Sequence, residues 1–289
     1  MHDRGNAEDT VAERSAARFP CRRSFAHRIV RSSPPPLSTR QRTSLPEFHL
    51  MSLAAWLLVT ASLFAVQESS ADSPARRTVE YPWMSVQLWN DFHASFLKRA
   101  DEGPVEILFL GDSITQGWAF DGKEVWRAHY AERAAANFGI GGDTTQQVLW
   151  RIGEGGELEK VRPKVCVLMI GTNNFGIRND DADEVAKGIE ATVAAIRAKL
   201  PETKVLLLGI FPRDAAADTD YRGRIAKVNE RIAKLDDGAA IRYLDLGPKF
   251  LQADGTLSAE IMPDFLHLSP RGYEIWADSM EPLLSEMLR

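Results

Sequence analysis

Five short, nearly continuous apolar runs, each separated from the next by an amphipathic stretch, constrain this chain more than anything else in it. The runs are Val105–Leu110, a shorter stretch near Ala134–Asn137, Val165–Ile170, Val205–Ile210 and Ile241–Leu244. Continuous apolar character, rather than alternation, suits strands buried on both faces of a parallel sheet. Between and around them the helical period predicts helices at Ser85–Ala100, Thr144–Ile152, Ala182–Leu200, Tyr221–Leu235 and Pro270–Leu288. The third stops at Pro201, and the last begins with Ser269 as N-cap and Pro270 at the first helical position, both ordinary helix punctuation. Strand and helix alternate throughout, which predicts one three-layer α/β domain with a five-stranded parallel sheet over about 75–289.

The residues before that domain read differently. Positions 1–50 hold nine Arg, no Lys and five acidic residues, with Ser32-Ser33-Pro34-Pro35-Pro36 and no apolar period. Such a segment buries too little surface to offset its ordering entropy, so it is expected to be a disordered leader, or to precede a true translation start at Met51. The uncharged run Leu53–Val66 is short for a membrane span and fits the core of a signal peptide, with Ser69-Ser70-Ala71 as a small-residue cleavage site. Read as an uncleaved anchor instead, the 51–71 segment still places the domain outside the cytoplasm. With the net charge of −5 for the whole chain, the net +4 of the leader leaves −9 on the remainder, which argues against a nucleic-acid partner. Hydrophobic residues make up 44% of the chain, enough for a sizeable core. Only Cys21 and Cys166 are present, the first in the leader and the second inside an apolar run, so no disulfide is expected in the domain.

Three polar, Gly-bearing turns follow the first three strands: Gly111-Asp112-Ser113, Gly141-Gly142-Asp143 and Gly171-Thr172-Asn173-Asn174. In open α/β sheets, ligand sites gather beyond the carboxyl ends of the strands, so these turns converge on one cleft. A serine hydroxyl there needs a base oriented by a carboxylate. Outside the leader the choice is His93, His129 or His267, and only His267 lies between the fifth strand and the last helix with an acid, Asp264, three residues upstream. Ser113 as nucleophile, His267 as base and Asp264 as its partner form the expected triad. Donors to a developing oxyanion would be the Ser113 N–H, an N–H of the Gly141-Gly142 turn, and the Asn173 amide. Taken singly, these two last features equally suit a plain tight turn and an Asx-type cap.

Competing chemistries fit less well. An α/β-hydrolase elbow has Gly-x-Ser-x-Gly, and Thr115 stands at the second Gly position. A metal-dependent phosphoesterase could draw on Asp112, Asp143, Asp264 and His267, but would want more ligands in one cluster. No metal and no cofactor is expected. Asp112 and Asp143 are expected to bind loop N–H groups, Trp118 to pack rather than line the cleft, and Trp126, Trp150 and Trp276 to be helix-face core residues.

The four ordered blocks Gly111-Asp112-Ser113, Gly142, Asn173 and Asp264-x-x-His267 resemble those of the SGNH, or GDSL-type, hydrolases. Within that group the closer likeness is to the catalytic subunits of intracellular platelet-activating-factor acetylhydrolase, through Asn137–Thr145, Val148-Leu149-Trp150-Arg151, Gly171–Asn174 and Asp264–Leu268. The resemblance spans about 100–289. It implies a flavodoxin-like three-layer fold, a metal-free Ser–His–Asp mechanism, and an oxyanion hole of Ser113, Gly142 and Asn173; the choice of Gly142 over Gly141 is its own. It also implies an acyl pocket shaped by Ile114, Phe265 and Leu266, whose bulk suits a short acyl group, acetyl above all. The expected activity is hydrolysis of short-chain carboxylic esters through an acyl-enzyme. A lysophospholipase or thioesterase of longer acyl preference, and a catalytically silent carbohydrate- or lipid-binding module, are the alternatives. A chain with a signal-like segment would meet acetylated carbohydrate or lipid esters, and related enzymes can form homodimers.

Overall fold

The computed structural model describes residues 69–289. The leader and the apolar run at 53–66 lie outside the described residues. Among the described residues, no helix is long and apolar enough to cross a membrane.

In chain order the elements are α1 (Val86–Asp101), β1 (Ile107–Gly111), α2 (Ser113–Gln116), α3 (Lys123–His129), β2 (Ala135–Gly139), α4 (Thr145–Ile152) and β3 (Val165–Met169). There follow α5 (Ala182–Lys199), β4 (Lys204–Leu208), α6 (Asp220–Ile232), β5 (Ile241–Leu244), α7 (Gly247–Phe250) and α8 (Pro270–Leu288). All five strands are parallel, in the order β2-β1-β3-β4-β5. The expected strands and long helices are present, with ends displaced by one to three residues. The short helices α2, α3 and α7 are additions: four to seven residues are too few for a helical period to stand out.

Burial explains the continuous apolar runs. Every residue of β1 and β3 is buried, whereas β5, at the edge, is only half-buried along its length. Alternate residues face opposite sides. Ile107, Phe109, Val165, Val167 and Met169 share one core with Trp276, Met280 and Leu284 of α8. Removing such side chains from water contributes roughly 1.5–3 kcal/mol each. Cys166 is fully buried in the middle of β3, and burial pushes its thiol up to about 12. Ser269 caps the last helix as expected, accepting from Gly272 N–H at 3.2 Å, and Ser85, expected inside α1, caps it instead, accepting from Leu88 N–H at 2.9 Å. Trp118 and Trp276 are buried core residues, while Trp126 and Trp150 are only half-buried.

The topology fixes where a ligand can go. From β1 the chain crosses to β2 on one side and then back past β1 to β3 on the other. The strand order therefore reverses between β1 and β3, and the loops after those strands diverge to leave a crevice at their carboxyl ends.

Candidate active site

At that crevice β1 ends in Gly111 and α2 begins at Ser113. The turn is tight: a Cβ on Gly111 would lie 2.4 Å from the Met169 carbonyl and 2.3 Å from Thr115 Oγ1. Between them Asp112 caps α2, its Oδ1 accepting from Ile114 N–H at 3.0 Å. Asp112 is fully buried, and burial pushes its carboxyl up to about 7, with the Ile114 N–H and nearby His267 opposing the rise.

The loop between β5 and α8 meets Ser113 from the other side. His267 Nε2 lies 2.9 Å from Ser113 Oγ, and His267 Nδ1 lies 2.7 Å from Asp264 Oδ2. The second carboxylate oxygen of Asp264 accepts from the backbone N–H of His267 at 2.7 Å and of Leu266 at 3.1 Å. Burial alone would raise the Asp264 carboxyl, but these three donors outweigh it and hold it at about 2. The tight loop forces Phe265 into the left-handed region, with φ +59°. A bulky residue is strained there. It is held by bonds on both sides, Phe265 N–H to Met262 O and Asp214 N–H to Phe265 O, each 2.9 Å.

The turn after β2 approaches Ser113 closely, since a Cβ on Gly141 would lie 3.8 Å from that of Ser113. Asp143 N–H to Ile140 O, 3.2 Å, closes a four-residue turn, and Gly142 sits in it with φ +74°. A left-handed third position is what such a turn demands of glycine. A side chain would also collide with Trp83, 2.2 Å from the Cβ position. Gly141 N–H donates to Gln116 Oε1 at 2.9 Å, tying the turn to α2. The Gly142 N–H has no acceptor among the described residues. From the loop after β3, Asn173 Nδ2 donates to Asp143 O at 3.0 Å.

Asp143 departs from its expected role. It does not bind loop N–H groups; its carboxylate lies 3.2 Å from Arg77 Nη2 and 2.8 Å from Arg151 Nε, and accepts from the Trp89 indole at 2.7 Å. Arg151 continues to Glu157 at 2.8 Å, and Glu157 to His93 at 2.7 Å. Burial pushes the Asp143 carboxyl up, and the two guanidinium groups and the indole pull it back. Sequence reading missed this network because Arg77 and His93 lie more than sixty residues from their partners and a single charge in an apolar stretch has no period. Only the Arg151 in Val148-Leu149-Trp150-Arg151 gave a hint.

The structure thus brings Ser113, His267, Asp264, Gly142 and Asn173 to one crevice. His93 is buried away from it, and His129 lies 3.8 Å from Asp278. Ile114 differs from expectation. Its side chain is 1% exposed and packs in the core beside Trp118, so it offers no surface to an acyl group. The reason is its place at the second residue of α2, turned toward α8, where its carbonyl accepts from Tyr273 Oη at 2.7 Å. Phe265 and Leu266 are half-buried against the same core. Among the described residues, no group of three His, Cys, Asp or Glu could hold a metal ion.

Comparison with known proteins identifies the family. The model of the GDSL-like Lipase/Acylhydrolase family matches residues 109–275. Platelet-activating factor acetylhydrolase IB subunit alpha1 of Bos taurus is 38% identical over 224 residues, which are 76% of this chain and 93% of the relative. Subunit alpha2 of Rattus norvegicus is 38% identical over 201 residues, 69% and 85% of the two chains. Among solved structures, a GDSL-like lipase from Bacteroides thetaiotaomicron superposes with a TM-score of 0.56 at 21% identity, covering 68% of this chain and 98% of that one. The last likeness concerns the fold, a five-stranded parallel sheet between layers of helices. Family model, relatives and sheet agree: the chain belongs to the GDSL-like lipase/acylhydrolase family and is a carboxylic-ester hydrolase.

Proposed function

We propose that this chain hydrolyses short-chain carboxylic esters, acetyl esters above all, through an acyl-enzyme on Ser113. The observation that carries the reading is the unbroken hydrogen-bonded line Ser113 Oγ–His267–Asp264, at 2.9 and 2.7 Å. Asp264 accepts the Nδ1 proton, which leaves Nε2 as the base facing the hydroxyl. Ser113 Oγ attacks the ester carbonyl as Nε2 takes its proton. The carbonyl oxygen, now anionic, turns to the Ser113 N–H, the Gly142 N–H and the Asn173 amide. Collapse breaks the ester C–O bond, and His267 returns the proton to the departing alcohol. A water then repeats the sequence, with His267 as base, and frees the acid and Ser113.

Phe265 and Leu266 form the apolar wall beside the triad, and their bulk favours a short acyl group. The acetylhydrolase relatives support the same preference. The apolar run before the domain favours export, where acetylated carbohydrate or lipid esters would be met.

The test is hydrolysis of nitrophenyl esters from acetate to decanoate by the native enzyme, Ser113→Ala and His267→Ala. Both variants should lose at least about a thousandfold in kcat, with acetate the best substrate. Full activity in Ser113→Ala would sink the mechanism, and an optimum at the long-chain end would overturn the acetyl preference.

A further inference from the structure

The Gly142 N–H belongs to the peptide unit whose carbonyl is Gly141 O. A trans peptide points its C=O and N–H in opposite directions, so whatever holds the carbonyl aims the N–H. Arg77 holds it. Its Nη2 donates to Gly141 O at 3.0 Å and, from the same nitrogen, to Asp143 Oδ1 at 3.2 Å. The arginine is 4% exposed, and its guanidinium lies over the Tyr81 ring, 5.3 Å from the centroid.

This peptide is also the one in the turn most free to rotate. Two kinds of four-residue turn differ mainly by a half-rotation of the central peptide, with the turn's ends left in place. Two glycines at the central positions make either form accessible. The closing bond from Asp143 N–H to Ile140 O survives the rotation, and so does the bond from Gly141 N–H to Gln116, which belongs to the preceding peptide. The bond to Arg77 does not survive it. It exists only when the Gly141 carbonyl faces the buried network and the Gly142 N–H faces away.

We infer that Arg77, which lies upstream of the region matched by the family model, is a positioning residue for ester hydrolysis: it locks the Gly141–Gly142 peptide with its N–H toward the oxyanion. The inference rests on the reading of Gly142 as an oxyanion donor. Arg77 never touches substrate. It acts by removing the alternative rotation of one peptide.

Arg77→Met removes the donor at similar length, and Arg77→Lys keeps a buried cation that can still reach a carbonyl. Each is compared with the native enzyme and Ser113→Ala on nitrophenyl acetate, with thermal unfolding followed in parallel. The probe for the tetrahedral state is a boronic acid, whose trigonal boron takes up Ser113 Oγ and places a negative oxygen where the oxyanion forms. Arg77→Met should lower kcat about ten- to a hundredfold with KM within about twofold, since one donor is misaimed rather than removed. Boronic acid affinity should weaken by the same factor, and Arg77→Lys should recover part of both. Native kcat in Arg77→Met overturns the inference, as does a kcat loss with unchanged boronic acid affinity. If Arg77→Met does not fold, Arg77→Gln, uncharged and too short to reach the Gly141 carbonyl in the same way, carries the test, and native values of kcat and boronic acid affinity in it overturn the inference. An active Ser113→Ala would instead sink the acyl-enzyme reading, whatever the Arg77 variants do.

Discussion

The two sides of the crevice are built from the same kinds of residue under opposite conditions. On the His267 side the polar groups are open to solvent, with side-chain exposures of 57% for Asp264 and 33% for His267. On the Gly142 side Asp143, Arg151 and Glu157 are at 0% and Arg77 at 3%. A group that must trade protons with water gains from contact with it. A group that must present fixed dipoles gains from being dry, because exposed charges are screened and buried ones are not. The exposed side holds its carboxylate with three short hydrogen bonds from its own loop. The buried side distributes one carboxylate among two arginines and an indole.

Four measurements would break or sharpen this contrast. The largest effect is expected for Asp264→Ala, which should lower kcat by about 10³–10⁴ while lowering unfolding free energy by no more than about 1–2 kcal/mol, the worth of the hydrogen bonds a half-exposed carboxylate accepts. A large loss of stability there would show that the open side is structural after all. Arg151→Met should do the reverse, destabilising the fold by about 3–5 kcal/mol in denaturant titration, because it leaves Asp143 and Glu157 buried with one partner fewer each. Asn173→Ala should cost about 10²–10³ in kcat with little change in KM, the signature of a donor used only in the transition state. The smallest effect concerns Asp112, whose folded value of about 7 exceeds the ordinary 3.8. Between those values the folded chain keeps a proton that the unfolded chain has released, so stability falls as pH rises through the window and levels off above it. The native protein should lose roughly 1 kcal/mol per pH unit across it relative to Asp112→Asn, measured by thermal unfolding. Parallel curves for the two proteins would refute an uncharged, buried Asp112. Asp264 works the other way. Its depressed value keeps it ionised until pH falls toward 2, so an acid limb of the rate profile well above that pH does not come from Asp264.

The sheet and the residues of the proposed triad were legible in the sequence for one reason: both are written in local pattern. Strands such as Val165–Met169 declare themselves by unbroken apolar runs, and Ser113, Gly142 and Asn173 by standing in turns directly after such runs. Asp264 and His267 are three residues apart, so their pairing is a matter of one loop. The Arg77–Asp143–Arg151–Glu157 network is not local. Arg77 and Asp143 are 66 residues apart, and neither one's sequence neighbours point to the other. Ile114 failed for a related reason. Adjacency to the nucleophile in sequence placed it in the crevice, whereas the first turn of α2 rotates it into the core.

The line from Ser113 to His267 closes over 154 residues, and the Asp143 network reaches back to a segment ahead of α1. Domains emerge from synthesis N-terminal end first. On the proposed mechanism, a chain with β1, β2 and β3 made but its last helix still to come would carry Ser113 without His267. Hydrolysis would then begin only when the final fifty or so residues dock. Loss of the C-terminal loop, by truncation or by a protease cut, should return the protein to that inert state even where the sheet survives.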